Sequence, residues 1–321
     1  MPASIEDWVR QIRSRDTRAV SRAITAIENH EPVADDLLRA LFYSTGHAYI
    51  VGVTGAPGTG KSTLVDRLAA QYRSAGKTVG IIAVDPTSPF TGGAILGDRI
   101  RMQGHAGDDG IFIRSMATRG FLGGLARATA EVSLLLDAAG KDVILIETVG
   151  VGQDEVDIVR LAHCTLVVLV PGLGDDVQNM KAGLMEIGDL FVLNKADREG
   201  SDRLEQQLQA MLQLVPDRAG WRPEIVRTVA TENRGITELA AAIAKFRAHA
   251  ESSPELRARE TDHWRRRLIE MLESRVLDQL LGSPESEERL SELARDVAAR
   301  KLDPYAAVAE LFERGGVRAV R

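Results

Sequence analysis

The chain has 321 residues, of which 44% are hydrophobic and 27% charged, and a formal net charge of −6. This length suffices for one large α/β domain with helical additions, and the acidic balance argues against a nucleic-acid-binding protein. No apolar run approaches the roughly 18 residues of a membrane span, and Met1–Trp8 lacks the apolar core of a signal peptide. A single cysteine, Cys164, excludes an internal disulfide, so we expect a cytoplasmic protein.

The first 45 residues contain apolar stripes at the spacing of amphipathic helices. The stripes are Ile5–Ile12, Val20–Ile27 and Leu37–Leu41. We therefore predict an N-terminal helical extension over residues 1–46.

Short apolar strands alternate with helical segments over residues 47–250. This alternation predicts an α/β domain with a mostly parallel sheet covered by helices on both faces. Ligands of such sheets bind at the carboxyl ends of the strands. The predicted strands are 49–54, 79–84, 111–114, 142–147, 165–170, 190–193 and 225–229.

The first predicted strand runs into a glycine-rich loop, Gly55-Ala-Pro-Gly-Thr-Gly-Lys61-Ser62, which fits the pattern G-x-x-x-x-G-K-[S/T]. A helical segment follows, and this strand–loop–helix context is typical of a phosphate-binding P-loop. The lysine would neutralise phosphate charge and the serine hydroxyl would hold Mg²⁺. The predicted phosphate contacts are Gly55, Ala56, Pro57, Gly58, Thr59, Gly60, Lys61, Ser62 and Thr63.

A later strand ends in Asn194-Lys195-Ala-Asp197, the pattern N-K-x-D. The Asp197 carboxylate can accept two hydrogen bonds from the N1–H and exocyclic amine of guanine, a donor pair that adenine lacks. A site built on such an acceptor rejects the wrong base. We therefore predict guanine nucleotides, GTP and GDP, as the ligands. Ala230 and Thr231, after the last strand, either contact the base or form an ordinary strand exit.

The strand Asp142–Glu147 ends in an acid followed by Gly150, in the pattern E-x-x-G. GTPases commonly have D-x-x-G at this position, where the acid is linked to Mg²⁺. We predict that Glu147 serves the metal, directly or through a bound water, and that the Gly150 N–H senses the γ-phosphate. The motifs together predict a P-loop GTPase domain with N- and C-terminal helical extensions.

Four further segments make the pattern more specific: Val84–Phe90, Gly92–Ile100, Arg114–Gly124 and Glu147–Gln153. With the P-loop they resemble the methylmalonyl-CoA mutase-associated GTPases, the MeaB/ArgK family of P-loop metallochaperones. The resemblance extends from about Ile5 to the C-terminal helices.

The resemblance implies a set of site residues. Ser62, Asp85, Asp98 and Glu147 would surround Mg²⁺, and the three acids with Lys61 would form the catalytic set. The segment Pro171–Lys181 matches a mobile loop of the family called switch III. Signalling to the partner is thereby assigned to Gln153, Gln178 and Lys181. Gln153 lies three residues beyond Gly150, so its part in catalysis is open, as are the roles of Arg99 and Arg119.

Apolar stripes also follow the break at Ser252-Ser-Pro254. Such helices lack a core of their own and must pack on something. Two hypotheses are open: packing on the rest of the same chain, or a homodimer interface, which the resemblance favours. We predict a C-terminal helical dimerisation extension over residues 251–321.

The family resemblance implies a GTP-driven chaperone that binds a cobalamin-dependent acyl-CoA mutase, gates delivery of adenosylcobalamin and protects or reactivates the mutase. The cobalamin would belong to the partner. Two alternatives are a GTPase that inserts nickel or cobalt into another enzyme and a P-loop kinase. The six scattered histidines show no metal-ligand spacing, which disfavours the first, and N-K-x-D disfavours the second. No nucleic acid or membrane partner is expected.

Overall fold

The computed structural model describes residues 4–85, 107–117, 124–148, 161–172, 187–214 and 220–314. The chain divides into two compact units, Met1–Pro254 and Glu255–Arg321.

The chain begins with three short helices, α1 (Ile5–Arg13), α2 (Thr17–Glu28) and α3 (Pro32–Phe42). Side-chain caps start the first two: Ser4 accepts a hydrogen bond from Asp7 N, and Asp16 accepts one from Ala19 N. The apolar stripes of all three helices are buried in one hydrophobic core shared with the sheet. They therefore pack on the first unit rather than standing apart from it.

The first unit is built on a seven-stranded sheet in the order β3-β2-β4-β1-β5-β6-β7, in which every neighbouring pair is parallel. The α/β prediction is thus confirmed. The largest difference from the predicted strands is in β3, which was expected to end at residue 114, but its pairing with β2 continues to Asp85 opposite Ala117. The strands are β1 (Tyr49–Thr54), β2 (Val79–Asp85), β3 (Ile111–Ala117), β4 (Val143–Thr148), β5 (Cys164–Leu169), β6 (Leu190–Asn194) and β7 (Glu224–Thr228).

Helices of the first unit cover both faces of this sheet. Ile144 and Ile146 of β4 face the core that contains the N-terminal helices. The next residue, Glu147, bonds to Ser62 of α4, and successive strand residues point to opposite faces, so α4 lies on the other side. The helices are α4 (Lys61–Ser74), α5 (Gly124–Ala138), α6 (Ser201–Leu212) and α7 (Ile236–Ser252), with a short 3₁₀ turn at Ala230–Glu232.

The second unit consists of helices α8 (Pro254–Leu281), α9 (Pro284–Ala298) and α10 (Pro304–Arg314), of which α8 begins at the unit boundary. Arg289 of α9 bonds to Glu310 of α10, which ties these two helices together, and also to Glu292 of its own helix. Several large apolar side chains are nevertheless exposed: Leu268, Ile269, Met271, Leu272, Leu277, Tyr305 and Val308. Of the helices described here, none combines the length and apolarity required to cross a membrane.

Candidate functional site

The carboxyl ends of the parallel strands bring the sequence motifs to one edge of the sheet. The P-loop joins β1 to α4, Glu147 is near the end of β4, and Asn194 ends β6. Ala56, Pro57 and Gly58 are exposed there. Phosphates bind at such helix N-termini because backbone N–H groups and the helix dipole both favour negative charge.

Two positions of the loop require glycine because atoms of other strands lie very close to them. A Cβ at Gly55 (φ 143°) would lie 2.2 Å from the carbonyl oxygen of Val168 on β5. A Cβ at Gly60 (φ 89°) would lie 2.6 Å from the side-chain nitrogen of Asn194. The loop can therefore adopt this path only without side chains at these positions, since the left-handed φ values also favour glycine.

Lys61 is the first residue of α4 and folds back over the loop. Its Nζ donates hydrogen bonds to the carbonyl oxygens of Gly55 (2.7 Å) and Ala56 (3.0 Å), and the side chain is buried. The charge of this ammonium group is thus held at the mouth of the loop, where the sequence predicts phosphates.

The Ser62 hydroxyl donates a 2.5 Å hydrogen bond to the Glu147 carboxylate, which is also buried. Mg²⁺ prefers oxygen ligands, and here a hydroxyl and a carboxylate are in contact beside the predicted phosphate loop. These two side chains therefore fit Mg²⁺. The glutamate, which is one methylene longer than the aspartate common in GTPases, contacts the serine directly.

Asn194 joins three parts of the site through its buried side-chain amide (2% exposed). Its nitrogen donates to the Thr59 carbonyl oxygen of the P-loop at 2.8 Å. Its oxygen accepts from the Thr228 hydroxyl at 3.1 Å and from Ala230 N at 3.2 Å. The end of β6 is thereby fixed to both the P-loop and the loop after β7.

The next residues turn sharply away from β6. Lys195 has a left-handed conformation (φ 55°), and its Nζ donates to the Gly58 carbonyl oxygen at 2.8 Å. Ala196 N donates to the Thr228 carbonyl oxygen, which fixes the turn, and Asp197 follows with an exposed carboxylate. The carboxylate predicted to bind guanine is therefore accessible, on a loop bonded to the phosphate loop.

Other predicted residues are placed only in part. Ala230 is buried and Thr231 exposed at the 3₁₀ turn. Asp85 ends β2 at the same edge of the sheet, and its side chain lies outside the described residues. Also outside them are Asp98, Gly150, Gln153, Gln178 and Lys181, and the two arginines Arg99 and Arg119.

Some contacts at this edge were missed in the sequence. The hydroxyl of Thr228 bonds to Asn194, and the hydroxyls of Thr54 and Thr148 are 3.2 Å apart. Each pair joins strands that are distant in sequence, so no local pattern marks it. The position of each residue at a strand end was the one available signal.

Relatives with these features are known. A family described as "Methylmalonyl Co-A mutase-associated GTPase MeaB" matches residues 20–285. A putative GTPase of Pyrococcus abyssi is 50% identical over 309 residues, which cover 94% of each chain. The GTPase ArgK of Escherichia coli is 33% identical over 322 residues, which cover 97% of this chain and 96% of the relative.

A solved structure, described as a LAO/AO transport system kinase, matches with a TM-score of 0.73 and 27% identity over 98% of both chains. This similarity extends over the sheet and its helical additions. Its description as a kinase applies to that protein alone. Sequence and fold together place this chain in the MeaB family of methylmalonyl-CoA mutase-associated P-loop GTPases.

Proposed function

We propose that this GTPase is a switch and chaperone for a cobalamin-dependent acyl-CoA mutase, with methylmalonyl-CoA mutase as the first candidate. In this proposal GTP binding and hydrolysis gate the delivery of adenosylcobalamin to the mutase and protect or reactivate it. The observation that carries the proposal is membership of a family described as associated with that mutase. The buried Cys164 is compatible with action in the cytoplasm.

For the nucleotide, we assign guanine recognition to Asp197. Support comes from its exposed carboxylate and from the hydrogen bonds that hold Asn194 and Lys195 against the P-loop. Asp197→Asn should weaken GTP binding by roughly 30-fold, because a charge-assisted hydrogen bond contributes about 2 kcal/mol, and should favour xanthosine nucleotides.

The control for this test is Glu199→Gln, which removes an exposed charge two residues away. Calorimetry that finds equal GTP affinity in Asp197→Asn and the control would contradict the assignment.

For hydrolysis, we assign phosphate binding to the P-loop from Gly55 to Thr63 and charge neutralisation to Lys61. Ser62 and Glu147 would hold Mg²⁺ with Asp85 and Asp98, and this ion would neutralise phosphate charge. Lys61→Ala should abolish hydrolysis while the fold is kept, because the Nζ donates to the carbonyl oxygens of Gly55 and Ala56, which belong to the loop itself. Circular dichroism with a phosphate-release assay tests both parts.

We assign γ-phosphate sensing to Gly150 and communication with the mutase to Gln153, Gln178 and Lys181. The basis is their match to family motifs. A switch acts through contacts that differ between its two states. Gln178→Ala and Lys181→Ala should therefore leave the intrinsic GTPase rate nearly unchanged and reduce its stimulation by the mutase.

We further propose that the C-terminal unit forms a homodimer and that the domain boundaries lie near residues 46 and 250. Support for the dimer comes from the exposed leucines of α8, such as Leu268 and Leu272. Apolar side chains of this size are normally covered by a partner surface when they cluster.

The partner is tested by capture from native extract with the protein loaded with a non-hydrolysable GTP analogue, against the GDP-loaded protein as control. Enrichment of a cobalamin-dependent mutase with the GTP analogue is the expected result. Enrichment of a nickel or cobalt enzyme instead would favour metal insertion as the function.

A further inference from the structure

The last two residues of β4 contact the two ends of the P-loop. Glu147 bonds to Ser62, directly after the P-loop lysine, on one face of the sheet. Thr148 lies on the other face, and its Oγ1 is 3.2 Å from Oγ1 of Thr54, directly before Gly55. The P-loop is thus bracketed by two polar contacts to one strand end.

The threonine pair is fully enclosed, with Thr54 0% and Thr148 2% exposed. In the strand register, Thr148 is flanked by Val84 and Thr54 by Val167, so the two hydroxyls lie between apolar neighbours. The only other acceptor near the Thr148 hydroxyl among the described residues is the Val53 carbonyl oxygen, at 3.5 Å.

A buried hydroxyl costs free energy unless it is hydrogen-bonded, and the net gain from the bond is small. Two valines would have the same branched shape without that cost. Stability alone therefore does not explain a threonine at both positions, which points to a geometric role.

That role follows from the chain direction. β1 leads from Thr54 into the P-loop, and β4 leads from Thr148 towards Gly150. Backbone pairing with β2 extends to Thr148, but the pairing with β1 ends one residue earlier, at Val53 opposite Glu147. The hydroxyl contact between Thr54 and Thr148 extends the link between β1 and β4 by one residue, on the face opposite Ser62, and so holds the glutamate against the serine.

We propose that Thr54 and Thr148 are positioning residues for GTP hydrolysis, whose hydroxyl contact fixes the end of β4 relative to the P-loop. They act through Glu147 and Ser62 and do not touch the nucleotide. The proposal rests on the GTPase activity of the family and is independent of which enzyme is the partner.

The test is a double-mutant cycle in the full-length protein: Thr54→Val, Thr148→Val and both together, with Thr148→Ser as the conservative variant. The matched control is Thr165→Val, which changes a buried threonine near the start of β5, away from the strand ends that carry the site. Each variant is measured for kcat, KM for GTP, GDP affinity and thermal stability.

Each single valine variant should lower kcat about fivefold to tenfold, the effect of losing one hydrogen bond of ordinary strength. KM and GDP affinity should change less than about twofold, because the nucleotide contacts are unaltered. The double variant should regain thermal stability, since no hydroxyl is left unbonded, but its kcat should remain low. Thr148→Ser should keep most of the rate.

Two outcomes would overturn the proposal. One is a double variant that recovers kcat together with stability, which would show that the hydroxyls matter only for packing. The other is a folded Thr54→Val variant with wild-type kcat. The latter variant keeps the Val53 carbonyl as a partner for Thr148, so it is the one expected to fold with least disturbance.

Discussion

The helices at the two ends of the chain carry similar apolar stripes in sequence but differ in their surroundings. In the N-terminal helices, Ile12, Ile24 and Leu37 are completely buried in a core shared with the sheet. In the C-terminal unit, Leu272 is 64% exposed and Leu268 56%. The same helical periodicity therefore indicates that a face is apolar without telling which surface covers it.

The difference depends on whether an apolar surface is available to cover each stripe. The N-terminal helices meet α5 and the β2–β4 face, which offer an apolar surface of their own. The C-terminal helices α9 and α10 are joined by the polar contacts of Arg289, and each of them buries one apolar side chain, Leu293 and Ala307.

The largest effect is expected in the N-terminal core. Ile24→Ala should lower the free energy of unfolding by about 2–5 kcal/mol, because it removes buried methyl groups and leaves a cavity. Leu214→Ala, at a position 85% exposed, is the control and should change it by less than about 0.5 kcal/mol. Urea denaturation measures both, and equal midpoints would show that the N-terminal helices are not part of the cooperative core.

The C-terminal leucines should affect assembly rather than the fold. Leu268→Asp combined with Leu272→Asp should raise the dimer dissociation constant at least about tenfold, or 1.4 kcal/mol, because two charges would be buried at the interface. Arg265→Asp, at an exposed polar position of α8, is the control. Sedimentation equilibrium measures the effect, and a wild-type protein that is monomeric at micromolar concentration would contradict the dimer.

A pH-dependent contribution is expected beside the turn between α1 and α2. Burial, together with the positive charges of Arg15 and Arg73, lowers the pKa of Lys141 to about 8, against the opposing effect of Asp108 and Asp109. The folded protein thus releases this proton near pH 8, whereas the unfolded chain keeps it to about pH 10.4. Wild-type stability from this group rises with pH over that window.

Lys141→Met should therefore stabilise the protein by roughly 1–2 kcal/mol at pH 7, even though the bond to the Gly110 carbonyl oxygen is lost. The advantage should shrink between about pH 8 and pH 10.4. Lys77→Met, at an exposed position nearby, is the control. An advantage that does not change with pH would contradict a charged, buried lysine.

The smallest effect concerns one bond between N-terminal helices. Trp8 Nε1 donates to the Ala19 carbonyl oxygen at 3.1 Å in a buried position. Trp8→Phe should lower stability by about 1 kcal/mol, the net contribution of such a bond. Tyr43→Phe, at a position 92% exposed, should have no effect in the same thermal melts.

The sequence predicted the strand cores well because parallel strands buried on both faces are nearly continuous apolar runs. β1 and β6 are examples, since their predicted and observed positions agree within one residue. The end of β3 was missed because Arg114 and Ser115 interrupt its apolar run. Its pairing with β2 continues past them because backbone hydrogen bonds do not depend on side-chain polarity.

The candidate site was predictable where a motif is continuous in the chain, as in the P-loop, whose glycines have the positive φ values that favour this residue. The contacts between motifs were not. Asn194 reaches Thr59 across 135 positions, and Thr148 reaches Thr54 across 94. Only the strand order brings these residues together, and that order cannot be derived from local periodicity.

The shared core of the N-terminal helices also has a consequence for synthesis on the ribosome. Ile24 and Leu37 are made early, but their packing partners Leu135, Ile144 and Ile146 follow about a hundred residues later. At roughly 5–20 residues per second, the apolar faces of α2 and α3 would wait on the order of 5–20 s before they can be covered. A nascent chain of this protein therefore exposes apolar helix faces, the kind of surface that chaperones bind, until these later residues are made.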